Sequence, residues 1–309
     1  MSNPLPSRRD FNRTWVTFGA GAMMSALPVA PARAERRSVK LPDGTSVAAL
    51  GQGSAGLGQG RHPEAAEADA LRTGISLGMN LIDTAELYGG GSSETLIGSA
   101  IKGQRDRVFL VSKVWPDHVA GDGIARACEA SLARLGTDHL DLYLLHWPRP
   151  GMDLPHIVAA FEALRAAGKT RAWGVSNFSV GEMEDLFRVP HGDRCATNQV
   201  PYNLGSRGIE RDLLPWCEQH GMPVMAYSPL GGSGAGLLRD PTLGRIGASH
   251  NCSGAAVALA WTIRSGHVIA IPEAGSAEHV KENAVALSLT LTPDDLHALD
   301  AAHPPPARS

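Results

Sequence analysis

GQGSAGLGQGRHPEAAEADALRTGISLG, residues 51–78, opens in a way that suits either of two α/β folds. Gly51, Gly53 and Gly56 satisfy G-x-G-x-x-G, the loop that brings a dinucleotide's pyrophosphate to a helix N-terminus in an open doubly wound sheet. Asp83, closing the next apolar run, stands near the place of a ribose-binding acid. In such a loop, however, the third glycine lies in the opening turn of the helix. Here Leu57 to Pro63 separate Gly56 from the first residues with helical periodicity, so the helix begins too late. The segment reads better as the first strand, loop and helix of a repeating series.

Beyond residue 36 short apolar runs alternate with longer amphipathic ones, the pattern of a parallel sheet built from strand-helix units. SVKLPDGTSVAAL (38–50) reads as a hairpin about Pro42-Asp43-Gly44. Eight candidate strands are then visible: VAALGQG (47–53), MNLIDTA (79–85), VFLVSKV (108–114), LDLYLLHW (140–147), RAWGVSN (171–177), CATNQVPY (195–202), PVMAYSPL (223–230) and HVIAIPE (267–273). Between them PEAAEADALRTGISLG (63–78), IARACEASLARLG (124–136) and DLPHIVAAFEALRAAGK (153–169) carry apolar residues at three- and four-residue spacing, as amphipathic helices do. Eight such units fit a (β/α)8 TIM barrel, for which about 250 residues are typical. The expected fold is therefore α/β, one barrel domain over residues 35–309, with the N-terminal β-hairpin closing the bottom.

The 309 residues are 43% hydrophobic and 19% charged, enough to bury a large core, and 28 basic residues are interspersed with 31 acidic ones for a net charge of −3. No basic face is indicated, which argues against nucleic acid or an anionic membrane and for small-molecule work, by a chain expected to be monomeric. The first 34 residues read separately. Ser7-Arg8-Arg9-Asp10-Phe11 precede a mildly apolar run from Thr14 to Ala30, and Ala32-Arg33-Ala34 supplies small residues at a cleavage point. This segment resembles a twin-arginine export signal. Rich in Gly and Ala and interrupted by Pro28, the run is too short and too weakly apolar for a stable membrane anchor. Cleavage after Ala34 by way of the twin-arginine export machinery is expected, giving a periplasmic or exported protein of 24 basic and 30 acidic residues; cytoplasmic residence is the alternative if the signal is inactive. Cys128, Cys195, Cys217 and Cys252 show no C-x-x-C spacing, and sequence does not pair them. The histidines, His62 and His118 among them, lack metal-ligand spacing, so no metal is expected. No G-x-S-x-G is present to make a serine nucleophile turn.

In a barrel all eight strand C-termini converge on one mouth, so the polar residues found there can share a small volume. Asp83 and Tyr88 follow the second candidate strand, Lys113 ends the third and His146 ends the fourth. Charges closing apolar strands are costly unless paired, which makes Asp83 and Lys113 natural partners. An ammonium near Tyr88 is expected to lower the phenol's pKa from about 10 toward working pH, as suits a general acid that protonates an alkoxide. His146 could donate to the same carbonyl oxygen. Glu86, between Asp83 and Tyr88, reads as a solvated or structural acid outside this group.

With those residues go LIDTAELYG, LVSKVWP, LLHWP, WGVSNF, NQVPYN, AYSPL and AIPEAGSAEHVKENA, in that order, and together they resemble the aldo-keto reductase family over about residues 36–302. The closest similarity is to bacterial reductases of small aldehydes of the methylglyoxal type. The resemblance implies Asp83, Tyr88, Lys113 and His146 as a catalytic tetrad, and a nicotinamide cofactor, NADPH or NADH, extended across the barrel mouth. Hydride would pass from the cofactor to an aldehyde or ketone carbon while Tyr88 protonates the oxygen. It further implies that Ser176, Asn177 and Gln199 hold the carboxamide, that Tyr227 stacks on the nicotinamide, that Ser228 and Leu230 line the pyrophosphate path, and that Glu282 and Asn283 approach the adenine. Asn177 and Gln199 also have an ordinary reading as loop caps. A different class of function, a dinucleotide-binding sensor on the same barrel that catalyses nothing, is opposed by the intact tetrad.

Two features depart from the family's pattern. After Ile271-Pro272, where the family commonly has Lys and often an Arg six residues on, stand Glu273 and His279. A carboxylate repels a 2′-phosphate and accepts from ribose hydroxyls, so weakened NADPH preference and use of NADH are expected. The sequence also stops at AAHPPPARS soon after the last helix, which predicts an open pocket walled by Trp115, Trp147 and the loop around Ser54.

Overall fold

In the computed structural model, residues 37–232 and 236–307 are described. The twin-arginine reading falls on residues 1–34 and lies outside them. The chain first makes an antiparallel hairpin, β1 (Ser38–Lys40) and β2 (Ser46–Ala48), with Val39 opposite Val47. Its turn is closed by Leu41 N to Thr45 O and by Gly44, whose φ of 86° suits glycine.

An eight-stranded parallel sheet follows in sequence order: β3 (Gln52–Gly53), β4 (Leu81–Asp83), β5 (Phe109–Val114), β6 (Leu140–Leu145), β7 (Thr170–Ser176), β8 (Asn198–Pro201), β9 (Val224–Tyr227) and β10 (Val268–Ala270). Helices return the chain after each strand: α1 (Glu64–Leu77), α2 (Ser92–Ile101), α3 (Gly123–Leu135), α4 (Leu154–Ala166), α5 (Val180–Phe187) and α6 (Leu213–Gln219) one apiece, α7 (Pro241–Ser249) and α8 (Gly254–Thr262) together after β9, and α9 (Ala277–Ala284) after β10. The last helix is α10 (Pro293–Ala302). The sheet closes on itself where Leu50 and Gly53 bridge in parallel to Ala270 and Glu273, through Gly51 N to Ala270 O at 2.8 Å and Gly53 N to Pro272 O at 2.9 Å. The barrel is thus complete, as the strand count requires.

Two-residue alternation divides the wall. Leu81, Val111, Leu142, Leu144, Ala172 and Met225 share one buried cluster inside the barrel. Their neighbours Ile82, Leu110, Tyr143, Leu145 and Trp173 join a second with the helix faces, among them Ile124, Cys128, Leu132 and Leu135 of α3 at the expected spacing. Val39, Leu41 and Val47 of the hairpin are buried with Ala172 and Ala196, near the beginnings of β7 and β8, so the hairpin does plug the bottom.

One expected strand divides. Val47 and Ala48 belong to the hairpin, and the chain enters the barrel wall only from Ala49 onward. The glycines that mimic a dinucleotide loop serve this seam instead. A Cβ on Gly53 would stand 2.7 Å from Ile271 O, and one on Gly56 would collide with Arg61 and Glu273. Helix α1 starts only at Glu64, well past Gly56. We therefore expect Gly53→Ala to lower the unfolding free energy by about 1–3 kcal/mol in urea denaturation. By contrast Gly181→Ala, in α5 where nothing beyond the helix's own backbone lies within 4 Å of the added methyl, should raise it by about 0.5–1 kcal/mol.

Candidate active site

The parity that sends Leu81, Val111 and Leu142 inward sends Asp83, Lys113, Leu144 and then His146 inward at the mouth, and does the same for Ser176, Gln199 and Tyr227. Tyr88 arrives differently, on the 3-10 turn Tyr88–Gly91 before α2, with its amide bonded to Ala85 O.

Lys113 is fully buried and its Nζ donates to Asp83 Oδ2 at 2.7 Å, Thr84 O at 2.8 Å and Tyr88 Oη at 3.3 Å, which uses all three of its hydrogens. Asp83, 2% exposed, accepts on its other oxygen from Gln199 Nε2 at 2.7 Å. His146 faces Tyr88 edge-on at 5.6 Å between ring centroids. Its Nδ1 is buried without a hydrogen-bond partner among the described residues. Burial, aided by the Lys113 charge, pushes the imidazole down to about 3, so it is neutral and can donate through one ring nitrogen without adding charge.

The expected lowering of Tyr88's pKa is not what the structure shows. Burial of the phenol outweighs the opposing pull of Lys113, and Asp83 adds to the rise, so Tyr88 sits above the usual value of 10. Lys113 itself is raised: burial works against its charge, but Asp83 and Tyr88 together overcome that. Tyr88 is therefore a protonated phenol at working pH, held by an ammonium that can stabilise the phenolate it leaves behind. That is the state required of an acid.

Around this floor lies a cavity of about 500 Å³, lined among others by Ser54, Arg61, Asp83, Tyr88, His146, Trp147, Ser176, Asn177, Gln199, Tyr227, Ser228, Leu230 and Glu273. Asn177 and Ser228 have positive φ, 66° and 49°, in the left-handed region that non-glycine residues seldom occupy. Asn177 is tied down completely: Nδ2 donates to His146 O and Ser176 Oγ, and Oδ1 accepts from Tyr227 Oη at 2.9 Å. These bonds fix the Tyr227 ring as a flat wall. Gln199 Nε2 is spent on Asp83 and the Met225 sulfur, which leaves Oε1 as the acceptor side of the amide. A flat ring with an amide acceptor beside it fits a nicotinamide carboxamide, and the His146 ring borders the same cavity.

Not every expected residue borders the cavity. Lys113 lies beneath it, and Trp115 packs edge-on against His146 at 5.3 Å rather than lining it. His279, Glu282 and Asn283 are on α9, the first two exposed and Asn283 buried, beyond the cavity's lining. Arg61 and the Gly231–Gly232 pair also line the cavity, and the signal in sequence for the first is an arginine in the loop after the first strand. Glu273 does line the cavity, where Oε2 accepts from Gly56 N at 2.5 Å and Oε1 lies 3.6 Å from Arg61. Among the described residues no group of three or more His, Cys, Asp or Glu could hold a metal, and no helix is long and apolar enough to cross a membrane.

A closed parallel barrel whose mouth sets a lysine-held phenol and a neutral histidine beside a platform for a nicotinamide defines a carbonyl oxidoreductase. Residues 49–304 match the aldo/keto reductase family, and the chain belongs to it. The methylglyoxal reductase YeaE of Escherichia coli is 48% identical over 275 residues, 88% of this chain and 96% of that one. The glyoxal reductase of Bacillus subtilis is 34% identical over 85% of this chain and 92% of its own length. A crystal structure of an aldo/keto reductase from Klebsiella pneumoniae in complex with NADP and acetate superimposes with a TM-score of 0.85 at 47% identity, covering 88% of this chain and 97% of that one. The protein is an NAD(P)-dependent oxidoreductase that reduces carbonyls.

The two perturbed groups predict a pH profile. With His146 already neutral and Tyr88 still protonated, kcat/KM for reduction should show no inflection from either between about pH 5 and 9. Lys113→Met removes the group that lowers Tyr88's pKa, so the rise of alcohol oxidation with pH, which needs phenolate, should move to higher pH.

Proposed function

We propose that the protein reduces small 2-oxoaldehydes of the methylglyoxal type, accepting NADH as well as NADPH, and acts as a monomer outside the cytoplasm. The observation that carries the chemistry is Lys113 Nζ shared between Asp83 and Tyr88 on the cavity floor. A reduced nicotinamide dinucleotide, when bound, supplies the hydride. The chain's own part is to place the carbonyl oxygen between the Tyr88 hydroxyl and the neutral His146 and to give it the Tyr88 proton, the phenolate then being stabilised by Lys113. Small substrates suit the cavity because its rim is open: Trp147, which lines it, is 42% exposed. The names of the two reductases compared above point the same way.

The cofactor reading is supported by Glu273, an anionic side chain at the cavity rim in the place where a phosphate-gripping lysine is usual. Arg61 beside it offsets part of that charge. Export is supported by the Arg8-Arg9 segment, with small residues at Ala32-Arg33-Ala34 behind it.

Steady-state assay with methylglyoxal should show turnover that Tyr88→Phe lowers by about a hundredfold or more while cofactor binding persists; undiminished turnover would remove the phenol from its role. The ratio of kcat/KM for NADPH over NADH should stay below about a hundredfold, and Glu273→Lys should raise it by about tenfold; a larger ratio in the parent protein refutes the cofactor reading. Fractionation of a C-terminally tagged chain should find protein lacking residues 1–34 outside the cytoplasm. Uncut protein confined to the cytosol would refute export.

A further inference from the structure

Glu86 lies between two tetrad residues in sequence and belongs to neither the tetrad nor the cavity wall. Its side chain is only 10% exposed. One oxygen, Oε1, accepts from the backbone N–H of Trp115 at 2.6 Å and faces His118 Nδ1 at 2.9 Å, while the Glu86 amide reaches Lys113 O at 3.4 Å. The carboxylate thus ties the loop that leads into Tyr88 to the segment that leaves Lys113. That segment also supports the histidine. Val114 O accepts from His146 N at 3.0 Å, and the Trp115 ring meets the His146 ring edge-on at 5.3 Å, with Tyr88 on His146 at 5.6 Å. His146, buried and lacking a partner for Nδ1, is held in place by the Tyr88 and Trp115 rings and by its own backbone.

We infer that Glu86 is a positioning residue: by holding the Trp115 amide it fixes the wall against which His146 stands, and so sets where the substrate oxygen meets Tyr88. The inference rests on the roles given to Tyr88 and His146. What matters is the reach of an acceptor, not its charge. A carboxylate or a carboxamide oxygen at that place accepts from the backbone amide along the same direction, and small displacements of a substrate-orienting group cost catalysis steeply.

Reach and charge separate in two variants. Glu86→Asp keeps the charge and falls short of the Trp115 amide, whereas Glu86→Gln keeps the reach and loses the charge. Aldehyde reduction by purified protein should fall about tenfold or more in kcat/KM for Glu86→Asp, mostly in kcat, with the cofactor Kd from protein-fluorescence quenching within about twofold of the parent. Glu86→Gln should stay within about threefold, with the parent's pH profile. Should the Asp form be the more active, or the Gln form change the shape of the profile, Glu86 acts through its charge and the inference is overturned. Equal activity of all three overturns it as well. Circular dichroism confirms the fold of each variant, and a parent protein that reduces no carbonyl at all would indict the functional reading rather than this one.

Discussion

The buried ion pair of Asp83 and Lys113 is the constraint on which the rest of the mouth is arranged. Taking both charges out of water is costly, and the cost is offset only when the geometry is good and further hydrogen bonds share each charge. Lys113 has three acceptors for three hydrogens, and Asp83 takes one donor on each oxygen. Those bonds join β4, β5 and β8 with the turn that bears Tyr88, so the phenol, the amide of Gln199 and the pair itself form one network. Removing either charge from such a pair leaves the other stranded, at a cost of about 3–5 kcal/mol. The same bonds that satisfy the charges orient the groups that touch the reactants.

On the cofactor side the backbone carries the corresponding tension. Left-handed conformations at Asn177 and Ser228 cost on the order of 1–3 kcal/mol each, and they are sustained because neighbouring bonds fix them: Asn177 through His146 O, Ser176 Oγ and Tyr227 Oη, and Ser228 through its carbonyl, which accepts from Asn203 Nδ2. Both sit at strand ends beside the cavity, where the chain must turn sharply to leave a side chain facing inward.

Strand alternation made much of this legible. Eight runs place Asp83, Lys113 and His146 at strand ends that converge on one mouth, whereas Gln199 and Tyr227 are reached only through the family resemblance, and the structure shows the same inward parity at both. Hairpin and first strand were harder to divide, because 47–53 is apolar throughout and the boundary depends on pairing with residues far away. The direction of Tyr88's shift is not legible in sequence, because a motif shows the neighbouring ammonium but not the depth of burial that opposes it. Glu86 reads as an ordinary acid for the same reason: nothing in the sequence says that the Trp115 amide comes within reach of it. Gln199 bonding Asp83, and Arg61 meeting Glu273, are likewise contacts across the barrel that no local pattern announces.

The seam between the first and last strands has a consequence for biosynthesis. The edge of the wall at Leu50–Gly53 finds its partner only in Leu50↔Ala270 and Gly53↔Glu273, at the opposite end of the polypeptide. A ribosome must therefore release nearly the whole chain before the ring can shut, and until then the early strand presents an unpaired edge to chaperones and to other nascent chains. Glu273, which borders the cavity, arrives with that final strand, so the binding site is finished only when the ring shuts.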